Sequence, residues 1–196
     1  GAMLDVGGPE DFDSVMVAWP QVIEWPDGSW RMYYHGMNSQ QHYTMGWAES
    51  ADGLRWEKRG PLLGPGTDGE FDDLGVATRH IIRLQDQWVM FYEGCRDIGS
   101  RMQVDRQIGV AVSDDGLEWR RIKGPNANGS VIAGGETGTG PNAEPWDIRL
   151  GCPNVVPMDD GSLRLYYIGS NERQGDTELD TVNQIGMAVS DGDILQ

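Results

Sequence analysis

Residues Phe71–Gly124 open with FDDLGVATRHIIRLQDQWVMFYEGC and, after a loop, close with QIGVAVSDDGLEWRRIKG. A near-copy precedes them over Phe12–Gly60: FDSVMVAWPQVIEWPDGSWRMYYHGM, a loop, then TMGWAESADGLRWEKRG. A third copy spans Trp146–Gly192, WDIRLGCPNVVPMDDGSLRLYYIGS and then QIGMAVSDG, and lacks the last piece. A repeat of this period fixes the architecture before any single residue is interpreted. In the middle copy the pieces are Val76–Leu84, Gln87–Tyr92, Gln107–Ser113 and Leu117–Ile122. Each is short and rich in β-branched and aromatic residues, as strands are.

Turn signals separate the pieces. Pro26-Asp27-Gly28-Ser29, Asp86-Gln87 and Asp159-Asp160-Gly161-Ser162 divide the first from the second, and Asp52-Gly53 and Asp115-Gly116 the third from the fourth. Glycine supplies the positive φ that tight hairpins need. Each repeat is therefore expected to be a four-stranded antiparallel meander, and the fold an all-β propeller with about three blades at 12–60, 71–124 and 146–196. A plain sandwich or an open array of meanders is the alternative. Residues 1–11 read as a loose or tag-derived leader, leaving 12–196 as one domain. Pro61–Glu70 reads as a connector, and Pro125–Pro145 as a long insertion with a short strand at Ser130–Ala133.

The bulk numbers narrow the partners. The 196 residues suffice for one domain with a sizeable core. A formal net charge of −16 repels phosphate backbones, so nucleic acid is not expected. No apolar run reaches a membrane span. Two cysteines, Cys95 and Cys152, are too few for a disulfide scaffold. Three histidines without ligand spacing point to no metal, and no cofactor motif is present. The absence of a visible signal peptide reads as a cytoplasmic or organellar protein. Three blades do not close a ring by themselves, so either the arc is part of a longer propeller or two copies pair as a six-bladed homodimer.

In such meanders the start of strand one and the end of strand two share a rim with the longer loops, here Met37–Tyr43, Cys95–Arg106 and Ser170–Asn183. Overlaying the copies keeps Met32-Tyr33-Tyr34, Met90-Phe91-Tyr92 and Leu165-Tyr166-Tyr167 constant. The next residue changes from His35 to Glu93 to Ile168, just before an invariant glycine. Trp19-Pro20-Gln21 likewise overlays Thr78-Arg79-His80 and Cys152-Pro153-Asn154. A constant frame with specialised rim positions suits an asymmetric ligand site. Asp13, Asp72, Asp73, Glu93, Asp97 and Asp147 all fall on that rim. Paired carboxylates there suit acid–base work on a glycosidic bond. Capping of strand ends is the plainer reading for the aspartates. Arg79, Arg96 and Arg149 are candidates to hold a carboxylate or grip an anionic sugar. Trp19, Tyr43 and Trp146 are candidates to stack on sugar rings, with His35, His80 and Asp97 as polar contacts. Trp30, Trp56, Trp88 and Trp119 are expected in the core.

The segments WRMYYHG at 30–36, QIGVAVS at 107–113 and SDDGLEW at 113–119 resemble those of the arabinanase/levansucrase/invertase-like five-bladed propellers, including glycoside hydrolase family 43. The Ser-x-Asp-Gly-x-x-Trp turn is also similar to the Asp-box of sialidases. The resemblance implies a glycan-processing site at the axis, with one Asp as base or nucleophile, a second tuning its pKa and a Glu as acid. By position Asp13 is similar to the first and Asp72 or Asp73 to the second; Glu144 or Glu93 takes the place of the third. The Asn-Asp-Pro-Asn of invertases is absent, and Arg96-Asp97-Ile98 only approaches Arg-Asp-Pro. The expected function is that of a glycoside hydrolase, the alternative a non-catalytic carbohydrate-binding or assembly module on the same scaffold.

Overall fold

The computed structural model of the chain describes residues 1–100, 103–135, 146–171 and 181–190. All regular structure in them is β-strand: β1 (Met16–Glu24), β2 (Trp30–Met37), β3 (Tyr43–Ser50), β4 (Glu57–Leu63), β5 (Gly75–Leu84), β6 (Gln87–Ser100), β7 (Gln103–Ser113), β8 (Arg120–Ile122), β9 (Arg149–Pro157), β10 (Leu163–Ser170) and β11 (Asn183–Val189). β1–β4 and β5–β8 are antiparallel meanders, and β9–β11 is a third with three strands. The first two meanders join through a single parallel contact, Tyr43 to Gly75, and no sheet closes on itself among the described residues.

The strands alternate between two apolar layers, as period-two side chains must. Trp88, Met90 and Tyr92 of β6 face Tyr33, Met45 and Phe71 between meanders one and two. Val89 and Phe91 of the same strand face Leu150, Val155, Leu165 and Tyr167 between meanders two and three. Meander one turns Met32 and Tyr34 outward, where Leu4 of the leader and Trp56 pack on them. Residues 1–11 are thus not a loose tail throughout, because Leu4 has an apolar face to cover.

One latch recurs in each meander and accounts for the repeated letters. An aromatic–Asp pair (Phe12-Asp13, Phe71-Asp72, Trp146-Asp147) precedes the first strand. Its ring stacks on the tyrosine of the second strand, with Phe12–Tyr34, Phe71–Tyr92 and Trp146–Tyr167 centroids 6.1, 5.7 and 6.1 Å apart. The tyrosine hydroxyl donates to the aspartate: Tyr34 to Asp13 at 3.1 Å, Tyr92 to Asp72 at 2.9 Å and Tyr167 to Asp147 at 3.3 Å. In the two complete meanders a cation from the fourth strand closes the latch, Lys58 on Asp13 at 2.6 Å and Arg121 on Asp72 at 2.8 Å. The invariant glycines are where this assembly lands. A Cβ at Gly36, Gly94 or Gly169 meets the ring and the aspartate Cβ of its own latch.

The turns fold as their sequences require. Gly28, Gly53, Gly116 and Gly161 all have φ between 71° and 84°. In the Ser-x-Asp-Gly-x-x-Trp turns Ser50 and Ser113 accept from Gly53 and Gly116 N–H at 2.9 and 2.8 Å, and the Trp56 and Trp119 indoles donate back to those glycines' carbonyls. Four boundaries differ from expectation; β8 begins only at Arg120, not at Leu117, which lies in the turn. The stretch Cys95–Arg106 continues the β6–β7 ladder, with Cys95 opposite Arg106 and Arg96 opposite Asp105. β4 runs on to Leu63 through Pro61, which an edge strand tolerates because its outer N–H has no ladder partner. Ser130–Ala133 makes only a bridge, Ile132 to Ile108.

The latch yields a stability prediction. Gly94→Ala forces its methyl into the Phe71 ring and is expected to cost about 1–3 kcal/mol in urea unfolding, as overpacking does. Gly8→Ala, whose nearest neighbour is Asp11 at 3.4 Å, is expected to change stability by less than about 0.5 kcal/mol, as surface substitutions do.

Candidate functional site

The register places the starts of β1 and β9 beside the ends of β2 and β10, and the start of β5 beside the later half of β6: Met16 opposite Met37, Arg149 opposite Ser170, Gly75 opposite Cys95. In every meander the first ladder breaks in a bulge near that end, between Ala18 and Gln21, Val76 and Arg79, and opposite Tyr166–Ile168. Bulges re-aim side chains and are common beside functional sites. Trp19 and Cys152 occupy two of them at φ 49° and 51°, a region that costs a non-glycine residue energy. The variable residue before each invariant glycine lies beside a bulge: His35 pairs with Ala18, and Ile168 with Gly151.

Two of these residues, His35 and Glu93, face the next meander. Glu93 is 6% exposed. It accepts from the Thr78 hydroxyl at 2.5 Å and from the Cys152 N–H at 3.2 Å, across to β9. Arg106 approaches its other oxygen at 3.5 Å. His35 is 2% exposed, and Arg79 of β5 lies close enough to repel its proton. The third equivalent, Ile168, has no meander beyond it among the described residues and is 38% exposed. The positions overlaid as Gln21, His80 and Asn154 repeat the pattern. The Gln21 amide makes two 2.8 Å bonds with the Ile81 main chain. His80 Nδ1 accepts from Val155 N–H at 2.9 Å. Asn154 is exposed.

The first and second meanders meet around Arg79, His35 and Trp19. The Arg79 guanidinium donates to the carbonyls of Trp19 and Tyr33, the latter at 2.5 Å, and more weakly to Ala77 at 3.4 Å. It forms no ion pair with a carboxylate among the described residues. Burial pushes its pKa down to about 9. The Trp19 ring is 5.2 Å from the His35 ring at 27°, and Tyr43 meets His35 edge-on at 5.8 Å. Burial, then the charge of Arg79, holds the imidazole down to about 4.

The other expected site residues sit elsewhere. Asp13 and Asp147 are latch residues, and their hydroxyl and ammonium partners point into the frame. Asp73 accepts from Gly69 and Asp97 N–H at 3.2 and 2.9 Å, tying the connector to the β6–β7 hairpin. Arg96 pairs with Asp105 at 2.8 Å along that hairpin. Arg149 is buried at the start of β9. Trp146 stacks inside its latch rather than on the rim. Glu144 lies outside the described residues. Sequence reasoning did not single out Arg106 or Thr78 as partners of Glu93. The pairing of Gly94 with Gln107 and Cys95 with Arg106 is the signal that would have found the first.

No family model matches the chain. Two uncharacterized proteins of Mycobacterium tuberculosis, from strains CDC 1551 / Oshkosh and ATCC 25618 / H37Rv, are each 29% identical over 176 residues, 87% of this chain and 54% of theirs. The chain thus spans about half the length of the curated relatives it matches. Among solved structures it is similar to a family 117 glycoside hydrolase of the marine bacterium Zobellia galactanivorans (TM-score 0.68, 17% identity, 98% of this chain and 57% of that one). It is also similar to BT0996 in an RGII complex (0.66, 17%, 89% and 53%). A glycoside hydrolase of the GH130 family that targets β-1,2 mannosidic linkages follows (0.63, 18%, 93% and 50%). The likeness is in fold, to several glycoside hydrolases, with no particular tie to family 43.

His35 carries a pH prediction. Its folded pKa of about 4 lies below the ordinary 6.5, so between those values the unfolded chain binds the extra proton. Stability is complete above pH 6.5 and falls as pH drops towards 4, by about 3 kcal/mol from this residue. Urea unfolding across that window is expected to show the slope in the wild type and lose this part of it in His35→Asn.

Proposed function

We propose that the protein acts on glycans at the rim where the three meanders converge, with Glu93 as the carboxylate that exchanges a proton there. The observation that carries this is the divergence of one repeated position. The same backbone site holds a buried histidine, a buried glutamate and an isoleucine, while the tyrosine before it and the glycine after it recur in all three repeats. Glu93 is held by donors from three strands, which fixes its orientation as acid–base catalysis requires. Asp13, Asp73 and Asp147 serve the frame in this reading, so the partner carboxylate of a hydrolase comes from outside the described residues. The likeness to glycoside hydrolases supports the class of ligand; it shows the fold alone, and activity rests on the site.

The arc continues beyond the third meander in this proposal. His35 and Glu93 are covered by the next meander, whereas Ile168, Ile185 and Met187 are 38, 80 and 51% exposed. A further meander of the same kind would cover them, either by extension of the chain or from a second copy, and sedimentation separates the two as monomer or dimer.

The second reading, a binding module, is favoured by Trp19, which is 56% exposed and stacked on His35. A panel of aryl glycosides decides between them. Glu93→Gln is expected to lose about 10²–10⁴-fold in turnover, the usual share of a general acid–base group, when assayed below its own melting temperature, which is expected to fall because the Arg106 pair is lost. Wild-type activity untouched by Glu93→Gln overturns the assignment. A silent wild type that still binds glycans makes the module reading correct.

A further inference from the structure

Arg79 is an arginine at 8% exposure with a carbonyl environment and no acidic partner among the described residues, in a chain of 31 acidic against 15 basic residues. Burying a cation without a counter-charge is costly, and a structure retains such a group where something else completes it. Its Nε has no acceptor. Beside it, His35 is 2% exposed, and neither ring nitrogen has a partner in full hydrogen-bond geometry, the Ala77 main chain supplying only a weak one. The Arg79 Nε and the His35 ring, on β5 and β2, are therefore neighbouring buried groups without a well-formed acceptor.

The cover over them is Trp19. Its indole lies on the imidazole with its other face in solvent, and its backbone sits in the left-handed region with its carbonyl gripped by Arg79. The side chain stacked over this place is thus strained, on the rim, and tied to the unpaired cation. Tyr43 of β3 closes the opposite side edge-on.

We propose that Arg79 and His35, in the place the Trp19 indole now covers, are a subsite for the anionic substituent of a glycan, a carboxylate or sulfate, while the sugar ring packs on the indole. This rests on the glycan reading above and names the class of sugar that reading leaves open. An anion there gives Arg79 its missing counter-charge and His35 an acceptor. It also competes with the Trp19 carbonyl for Arg79, which releases the indole from its strained position. Charge-assisted bonds of this kind favour a charged sugar over its neutral counterpart by about tenfold or more.

The test uses the whole chain and its three histidines, His35, His42 and His80, whose imidazole resonances are few enough to follow by NMR. D-glucuronate, D-glucose 6-sulfate and D-glucose are titrated in turn at fixed ionic strength. Either anionic sugar is expected to bind at least about tenfold tighter than glucose and to move the His35 titration up towards the ordinary histidine range. The arm that does so identifies carboxylate or sulfate. Arg79→Gln is expected to abolish the preference; if it fails to fold, Trp19→Ala is expected to keep the His35 shift while weakening both sugars alike. Glucose binding as tightly as the anions, or anions that bind without moving His35, overturns this inference and leaves the glycan reading standing. None of the three binding, with no glycoside turned over, overturns both.

Discussion

The structure depends on a buried ion pair capped by a tyrosine. Asp72 is fully buried, with its carboxylate shared between the Tyr92 hydroxyl and the Arg121 guanidinium. Asp13 repeats this with Tyr34 and Lys58. A buried pair of this sort adds little net stability relative to an apolar substitute, but breaking it is expensive because one charge is left unmatched. Its value here is geometric. It pins the segment before the first strand to the second strand and the fourth to both, so the meander cannot slip in register. Burial, and after it the nearby aspartate, raises the hydroxyl pKa of Tyr34 and Tyr92 well above the usual range, so both stay donors at any pH the fold survives.

Because the latch uses the conserved positions, the remaining ones are free to specialise. Bulges in β1 and β5 point Trp19 and Thr78 towards the rim, Glu93 crosses to the next meander at the Cys152 N–H, and His35 faces Arg79 of β5. His35 and Glu93 thus hold neighbours together and furnish chemistry at the same time. The far ends do only the first job. There Arg31 lies 3.7 Å over Trp25, which stacks on Trp88 at 4.2 Å, and Arg31 also donates to the Asp115 carbonyl. That stack bolts the turn of meander one to the turn of meander two.

The repeats and turns were legible because φ-positive glycines and alternating apolar residues leave local signatures. Phe12-Asp13, Phe71-Asp72 and Trp146-Asp147 were also visible as a repeat, yet their meaning was not. An aspartate at a strand start reads equally as a catalytic carboxylate or as half of an ion pair, and its partners Lys58 and Arg121 lie 45 and 49 residues away. Recurrence itself was the clue, since chemistry at one asymmetric site does not need the same acid in every repeat. Glu93 was legible for the opposite reason, as the odd residue at a matched position. The extended hairpin through Cys95–Arg106 was hidden because arginine, aspartate and glycine there carry loop composition, and the ladder overrides it.

The central claim is that the three strand-start aspartates belong to the frame. The most direct measurement is equilibrium unfolding of Asp72→Asn, Tyr92→Phe and the double variant, with the Asp13–Tyr34 pair treated alike. Loss of about 3–5 kcal/mol on the aspartate change, with a double variant less damaging than the sum of its parts, is what a shared buried latch requires. Aspartate variants that unfold like the wild type, with strictly additive effects, would contradict it and return Asp13 to the chemistry.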